Sequence, residues 1–501
     1  MSVRAAVAIL TVFFAFGSGH AQTREESPDL VLRGEIGGSD HQRYREVPFT
    51  VPAGTARITV QFEYSGRDDK TTIDLGLLGP DGFRSQDGFR GWSGGNKSVF
   101  TVAASDATPS YVSGPIRPGR WALLFGIPNI RKDARAAFTA RVWLGRDGAP
   151  YWQPAVVNPP LRSTAGWYRG DLHMHDAHSD GSCSSQAGAR VPCPLFLTAQ
   201  AAVARGLDFI AITDHNTTSQ ANAIRELQPW FDRLLLMPGR EITTFSGHAN
   251  LIGSAAPLDF RVADGRDWNA LLRDAAALQG IVSINHPIRP SDETCMGCGW
   301  TAQPPADAAL LQAVEVVNGS DADTPYSGIA FWEALLNAGH RLTAIGGSDN
   351  HDADQAIAGR GGGPVGMPTT VVHAQALSMP AVLAALRAGH AFVDVQGSRD
   401  RRLEFSARRG EAQAQMGDRL SAPAGSEVEF TVRTVNVDGG RVEVIQDGRT
   451  IAPGGDLSIG AAQHDLRFSW TSDGQRHWLR ANVRGADGKL LLVGNPIYVG
   501  W

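Results

Sequence analysis

The chain has 501 residues, 42% of them hydrophobic and 19% charged, with a formal net charge of −5. That length allows two to four domains at roughly 100–200 residues each, and the apolar content excludes a globally disordered chain. With no basic block or arginine-rich arm, the charge excludes a general nucleic-acid binder, although a local cationic site for a small phosphorylated substrate is compatible with it.

Residues 1–21 read as a signal peptide. Arg4 supplies a basic start, 5–16 is an apolar run too short to span a bilayer comfortably, and Gly19-His20-Ala21 places small residues three and one before a cut after Ala21. No other stretch reads as a membrane span, so the expected location is periplasmic or secreted. Residues 22–145 read as an N-terminal β-sandwich: 57–64 alternates apolar and polar residues, shorter runs follow at 72–78, 98–102, 121–125 and 137–144, and Gly, Pro and Asp turns separate them. Such a module packs on its neighbour or contacts carbohydrate. Residues 146–166, with Asn158-Pro159-Pro160, read as a linker.

The segment 167–398 changes character. Apolar runs at 207–213, 234–237, 281–284, 314–317 and 342–345 read as buried strands, and 199–205, 268–278, 326–338 and 379–387 as helices. This alternation predicts a parallel sheet or barrel. From 399 to 501 the pattern returns to β, with clean alternation over 427–435 and a turn at Asp447-Gly448, which predicts a C-terminal β-sandwich. The four cysteines suit disulfides in an exported chain, and the short loops they bracket favour Cys183–Cys193 and Cys295–Cys298; the alternative is a structural zinc site made of all four.

Most residues that could do chemistry follow directly on a strand-like run. They are Asp214-His215 after 207–213, Glu241 after 234–237, Asn285-His286-Pro287 after 281–284, and Ser348-Asp349-Asn350-His351 after 342–345. In a βα barrel this position is the catalytic rim, where distant segments converge. His173-Met174-His175 places two imidazoles at i and i+2, on one face of a strand. With Asp180 and His248, the set becomes six histidines (173, 175, 215, 248, 286, 351) and three acids (Asp180, Glu241, Asp349). At roughly three to four protein ligands per ion, nine ligands imply two or three divalent ions such as Zn2+, Mn2+ or Fe2+. Arg289 could pair with a phosphate oxygen, Arg360 could fold over the site, and Asp214 could orient a ligand. His178, His340, His373 and His390 read as bystanders.

The motifs His173-Met174-His175, Ser179-Asp180-Gly181, Thr213-Asp214-His215, Glu241, His248, Asn285-His286-Pro287 and Ser348-Asp349-Asn350-His351 together resemble the polymerase and histidinol phosphatase (PHP) family over residues 170–395. The flanking layout, closed by Asn495-Pro496, resembles the exported branch related to carbaryl hydrolases. The resemblance implies a multidomain protein with a central distorted (β/α)7 barrel between two β-sandwich modules, and a trinuclear site. His173, His175, Glu241 and Asp349 would hold the first metal. Glu241 would bridge to a second held by His248 and His286, and Asp180, His215 and His351 would hold the third. The implied activity is an exported hydrolase in which a metal-bridging hydroxide attacks a small phosphomonoester or phosphodiester, with Asp214 and Arg289 assisting. A carboxylic or carbamate ester hydrolase and a non-catalytic surface binding protein are the alternatives.

Overall fold

The computed structural model describes residues 27–501 apart from 86–87, 96, 147–156, 264, 294 and 357–361. The expected signal peptide, residues 147–156 of the linker and Arg360 therefore lie outside the described residues. Among the described residues, no helix is long and apolar enough to cross a membrane.

The N-terminal part has eight strands: β1 (Leu30–Gly37), β2 (Arg43–Val51), β3 (Thr55–Tyr64), β4 (Thr72–Leu78), β5 (Phe89–Ser93), β6 (Val99–Ala103), β7 (Gly119–Asn129) and β8 (Arg135–Arg146). They pair antiparallel as two four-stranded sheets, β1-β8-β3-β6 and β2-β7-β4-β5. Alternate residues of each face point inward, so Ile58, Val60, Phe62, Leu75, Leu123 and Phe125 fill one core between the sheets.

The chain then runs through β9 (Gly166–Asp171), a short hairpin β10 (Ser182–Ser184) and β11 (Arg190–Pro192), α1 (Leu195–Arg205), β12 (Phe209–Ile212), α2 (Ala221–Leu227), β13 (Leu235–Thr244) and β14 (Gly247–Ile252). It continues with α3 (Trp268–Ala277), β15 (Ile281–Ile284), β16 (Ala313–Asn318), α4 (Ile329–Asn337), β17 (Thr343–Gly347), β18 (Thr369–Ala374), α5 (Met379–Ala388) and β19 (Ala391–Asp394). Local signals place the helix ends. Asp267 and Ser378 accept from the amides of Ala270 and Ala381 as N-caps, and Gly206 and Gly389 end α1 and α5 in left-handed backbone.

The expected (β/α)7 barrel is not formed. The strands join one open sheet in the order β17-β16-β15-β14-β13-β12-β9-β18-β19, and only β9, β12 and β13, then β15, β16 and β17, run parallel. β13 and β14 are joined by the two residues Phe245-Ser246, too short for a crossover, so the pair is antiparallel; β14 with β15, β9 with β18, and β18 with β19 are antiparallel as well. The ladder does not close. The terminal strand β17 meets β18 through a side chain, the Thr370 hydroxyl, which accepts from Gly346 N at 2.9 Å and donates to Gly346 O at 2.7 Å.

The C-terminal part adds β20 (Arg402–Arg409), β21 (Ala412–Gln415), β22 (Arg419–Leu420), β23 (Glu427–Val435), β24 (Arg441–Gln446), β25 (Arg449–Ile451), β26 (Gln463–Thr471), β27 (His477–Arg484), β28 (Leu490–Gly494) and β29 (Ile497–Val499). It is not a separate sandwich. β28 pairs with β19, so the central sheet runs on through β28, β27, β24 and β25, and only β21-β20-β23-β26 is a sheet of its own. The shared core holds Phe392, Phe405, Phe430, Val444, Leu479 and Leu492. Asn495 pins the junction: its amide bonds Ala344 N at 2.8 Å, Ala344 O at 3.0 Å and Ala391 O at 2.9 Å.

The cysteines pair as Cys183–Cys193 and Cys295–Cys298, with Cα separations of 4.9 and 5.5 Å. A four-cysteine zinc site is therefore not formed.

Candidate metal centre

The polar residues of the central part leave the sheet at one edge. His173 and His175 follow β9, His215 follows β12, His286 follows β15, and Asp349 and His351 follow β17, each at the C-terminal end of its strand. Glu241 and His248 reach the same place from within the β13–β14 hairpin. Backbone bonds hold the segments in register: Asp349 N donates to His173 O (2.8 Å), His175 N to Asn350 O (2.9 Å) and Glu241 N to Thr213 O (2.9 Å). Asp171 fixes the base of the cluster by accepting from Ser348 N and Gly366 N.

All nine expected ligands are brought together. Their ligand atoms fall into three overlapping groups, each with atoms within 4.8 Å of one another: His173, His175, Glu241 and Asp349; Glu241, His248 and His286; and His175, Asp180, His215 and His351. Glu241 sits between the first two. Its Oε1 is 3.4 Å from His173 Nε2 and 3.3 Å from both His248 Nδ1 and His286 Nε2, while Oε2 is 3.6 Å from His175 Nε2. Asp180 Oδ1 lies 3.6 Å from His215 Nε2 and 3.4 Å from His351 Nε2. Asp180 is well exposed, unlike the buried Glu241 and Asp349.

Each imidazole is held by one nitrogen and offers the other to the cluster. His173 Nδ1 meets Glu315 Oε1 at 3.0 Å, His286 Nδ1 donates to Cys298 O at 3.0 Å, and His351 Nδ1 donates to Asp349 O at 2.8 Å. His215 Nδ1 lies 2.7 Å from Thr243 Oγ1 and His175 Nδ1 lies 3.3 Å from Ser179 Oγ. His248 is the reverse: its Nε2 donates to Met296 O at 3.3 Å and its Nδ1 faces Glu241. Such outer bonds fix the tautomer and aim of a metal-binding histidine.

The residues fit cations on their own terms. His173 Nε2, His175 Nε2 and Glu241 Oε2 are buried and have no hydrogen-bond partner, although buried polar atoms are almost always paired. The close approach of His215 Nδ1 to Glu241 Oε2, 2.9 Å, does not supply one, because that nitrogen is engaged by Thr243. A mixed set of imidazole and carboxylate suits Zn2+, Mn2+ or Fe2+. The backbone is also strained at two of the residues: His286 and Asp349 have φ of 27° and 51°, left-handed values that L-residues adopt rarely and that cluster at functional sites.

Charge is concentrated here. Burial opposes ionisation of Glu241, yet His173 and His248 outweigh it and hold its carboxyl well below the usual range. Asp349 behaves alike, with His173 and His175 as its partners. Burial likewise disfavours charge on His215, but Glu241 and Asp180 raise its pKa to about 9. For His175, burial and the neighbouring His351 act together and push the pKa down to about 4.

The centre opens into a cleft of about 1010 Å³, also lined by Arg289, Met296, Asp321 and Tyr326. Arg289 Nε donates to Asp321 Oδ2 at 2.9 Å and its Nη1 is 3.7 Å from Asp349 Oδ2, so the guanidinium faces the cluster. Asp214 does not line the cleft. It is buried and accepts from Ser179 Oγ at 2.7 Å and Asp176 N at 3.0 Å, so it acts on His175 through Ser179 rather than on a substrate. His178 points away, to Ser219 Oγ at 2.7 Å. A more apolar cavity of about 400 Å³, lined by Val99, Ile224, Leu236 and Met379, lies between the N-terminal sandwich and α2, away from every ligand group.

Sequence reasoning passed over Glu315 and Thr243, and gave Ser179 of the Ser179-Asp180-Gly181 motif no role of its own. Glu315 had a signal: it is an acid inside the run Ala313–Asn318, every residue of which is buried. A lone carboxylate in a buried strand needs a partner. No protein-family profile matches the chain, and no curated protein matches it either.

Proposed function

We propose that this chain is a hydrolase dependent on two or three divalent cations, held by the nine residues as the PHP-like motifs imply, and that it cleaves a small phosphoester. The observation that carries this reading is the buried Glu241 carboxylate, shared by two ligand groups, at the floor of an open cleft beside Arg289. Bound divalent cations supply Lewis acidity and make water a competent nucleophile near neutral pH.

The chain's own residues do the rest. Glu241 and Asp349 stay ionised and offset the positive charge of the centre. Glu315, Cys298 O and Met296 O aim His173, His286 and His248. Arg289 is anchored by Asp321 through Nε, which leaves guanidinium N–H groups for the non-bridging oxygens of an anionic substrate. Those directed donors, held beside Asp321 and Asp349, suit the oxygens of a phosphoester better than a neutral carboxylic or carbamate ester. The paired cysteines are compatible with export to a periplasmic or secreted location.

The test is a panel of matched nitrophenyl esters, phosphate, phosphodiester and acetate, assayed with chelator-stripped protein and after adding back Mn2+ or Zn2+. Cation-dependent turnover of the phosphoesters supports the proposal. Turnover of acetate alone would move the reading to a carboxylic ester hydrolase. Cation binding without turnover of any ester would leave a binding protein.

A further inference from the structure

The turn closed by Cys295 and Cys298 sits beside the second ligand group, and two of its carbonyl oxygens face the two histidines there. Met296 O accepts from His248 Nε2 at 3.3 Å, and Cys298 O accepts from His286 Nδ1 at 3.0 Å. A carbonyl can only accept, so each bond places the proton on the outer nitrogen. In the neutral ring that a cation requires, the lone pairs of His248 Nδ1 and His286 Nε2 face Glu241 Oε1, each 3.3 Å away; without a cation, His286 Nε2 donates to that oxygen. Neither histidine has this outer bond from a carboxylate, as His173 has from Glu315.

The turn has little freedom while the bridge is closed. Gly297 takes a φ of +80°, its amide donates to Ser291 Oγ at 2.8 Å, and a Cβ there would collide with the carbonyl oxygen of Thr244. Cys295 is half-buried and both it and the buried Cys298 line the cleft, whereas Cys183 and Cys193 are both buried and do not line it. A small reductant therefore meets the Cys295–Cys298 bond first.

We infer that the Cys295–Cys298 turn is a redox-sensitive positioning device for the Glu241–His248–His286 cation site. This rests on the cation reading above. A dithiol supplies the reducing step: it gives two electrons and two protons to the sulfur–sulfur bond, which opens to two thiols, while the dithiol closes to its own disulfide. Opening frees the four-residue turn, and both carbonyl acceptors lose their fixed positions. Loss of such outer partners weakens metal binding by about 10–100-fold.

The experiment uses the full chain, oxidised, reduced and desalted, and as the double variant Cys295→Ser/Cys298→Ser. Mn2+ alone is the probe, with bound metal measured by equilibrium dialysis and elemental analysis. In parallel, 15N long-range NMR on metal-free protein reads the histidine tautomers. The expected result is that reduced protein and double variant bind one Mn2+ fewer per chain, or bind it at least tenfold more weakly. His248 should also lose its preference for the Nε2–H form. Unchanged stoichiometry, affinity and tautomers would overturn the inference. If the double variant does not fold, the reduced wild-type protein decides. If oxidised wild-type protein binds no Mn2+, the cation reading fails by itself, and the tautomer measurement still judges the positioning role.

Discussion

Glu315 Oε1 lies 3.0 Å from His173 Nδ1, with both side chains shut away from solvent. The other carboxylate oxygen accepts from His286 N and from Asn318 Nδ2, each at 2.9 Å. One acceptor-only group thus serves three donors and links two ligand groups. In Glu315→Gln, one of the two terminal atoms becomes an N–H donor and must face a donor. The expected outcome is a loss of about 10–100-fold in Mn2+ or Zn2+ affinity with the fold retained. Equilibrium dialysis with circular dichroism checks it, and wild-type affinity in the variant would remove the orienting role.

The N-terminal sandwich is fastened to the central part by one buried carboxylate. Asp106, fully enclosed, pairs with Arg57 of its own sheet (Nη2 to Oδ1, 2.5 Å) and with Arg225 of α2, and the neighbouring Ala107 N donates to Asn222 Oδ1 at 2.9 Å. Burial opposes its ionisation, but Arg225 and Arg57 outweigh this and depress its pKa far below the ordinary carboxylate value. A depressed folded-state pKa stabilises the protein above the unfolded value, about 3.9, and that contribution is lost as pH falls from there toward the folded value. Asp106→Asn removes the carboxylate that both guanidinium groups meet, so it should cost about 3–5 kcal/mol at neutral pH and flatten the acid limb of the stability curve. Urea unfolding from about pH 2 to 7 measures both effects, and an acid limb identical to wild type would refute the assignment.

These two sites mark what the sequence makes legible and what it hides. Most ligand positions were legible because they follow an apolar run, as His215, Glu241, His286 and Asp349 do, or stand at i and i+2, as His173 and His175 do; Asp180 and His248 carry no such local signal. Helices α1, α3, α4 and α5 were legible from their apolar spacing, whereas α2, seven residues long, was too short to show a period. Strand direction was not legible. Buried strands such as β12 and β15 read as the same apolar run whether their neighbours are parallel or antiparallel, and the hairpin at Phe245-Ser246 carries none of the usual Asn-Gly or Asp-Gly turn signal. Thr243 was hidden because nothing in a lone hydroxyl residue announces a histidine that follows a neighbouring strand.

The motif residue Asn495 is structural. Its amide satisfies backbone groups of β17 and β19 at once, where the central sheet passes into the C-terminal part. Asn495→Ala leaves Ala344 N without that partner in a buried setting, so we expect a loss of about 1–3 kcal/mol. Urea unfolding should show a lower midpoint with an unchanged slope, and metal content per folded chain should not change. An unaltered midpoint would show that the junction does not need this side chain.

The central claim is a multi-cation centre organised by Glu241. The most direct measurement is bound metal per chain, by equilibrium dialysis against Mn2+ and elemental analysis, in wild type, Asp180→Ala and Glu241→Ala. Asp180 belongs to one ligand group and Glu241 to two. Wild-type protein should bind at least two ions, Asp180→Ala one fewer, and Glu241→Ala should lose at least the ion between His248 and His286 and bind the remainder more weakly. One ion or none in the wild type, or an unchanged content in a folded Glu241→Ala, would contradict the account.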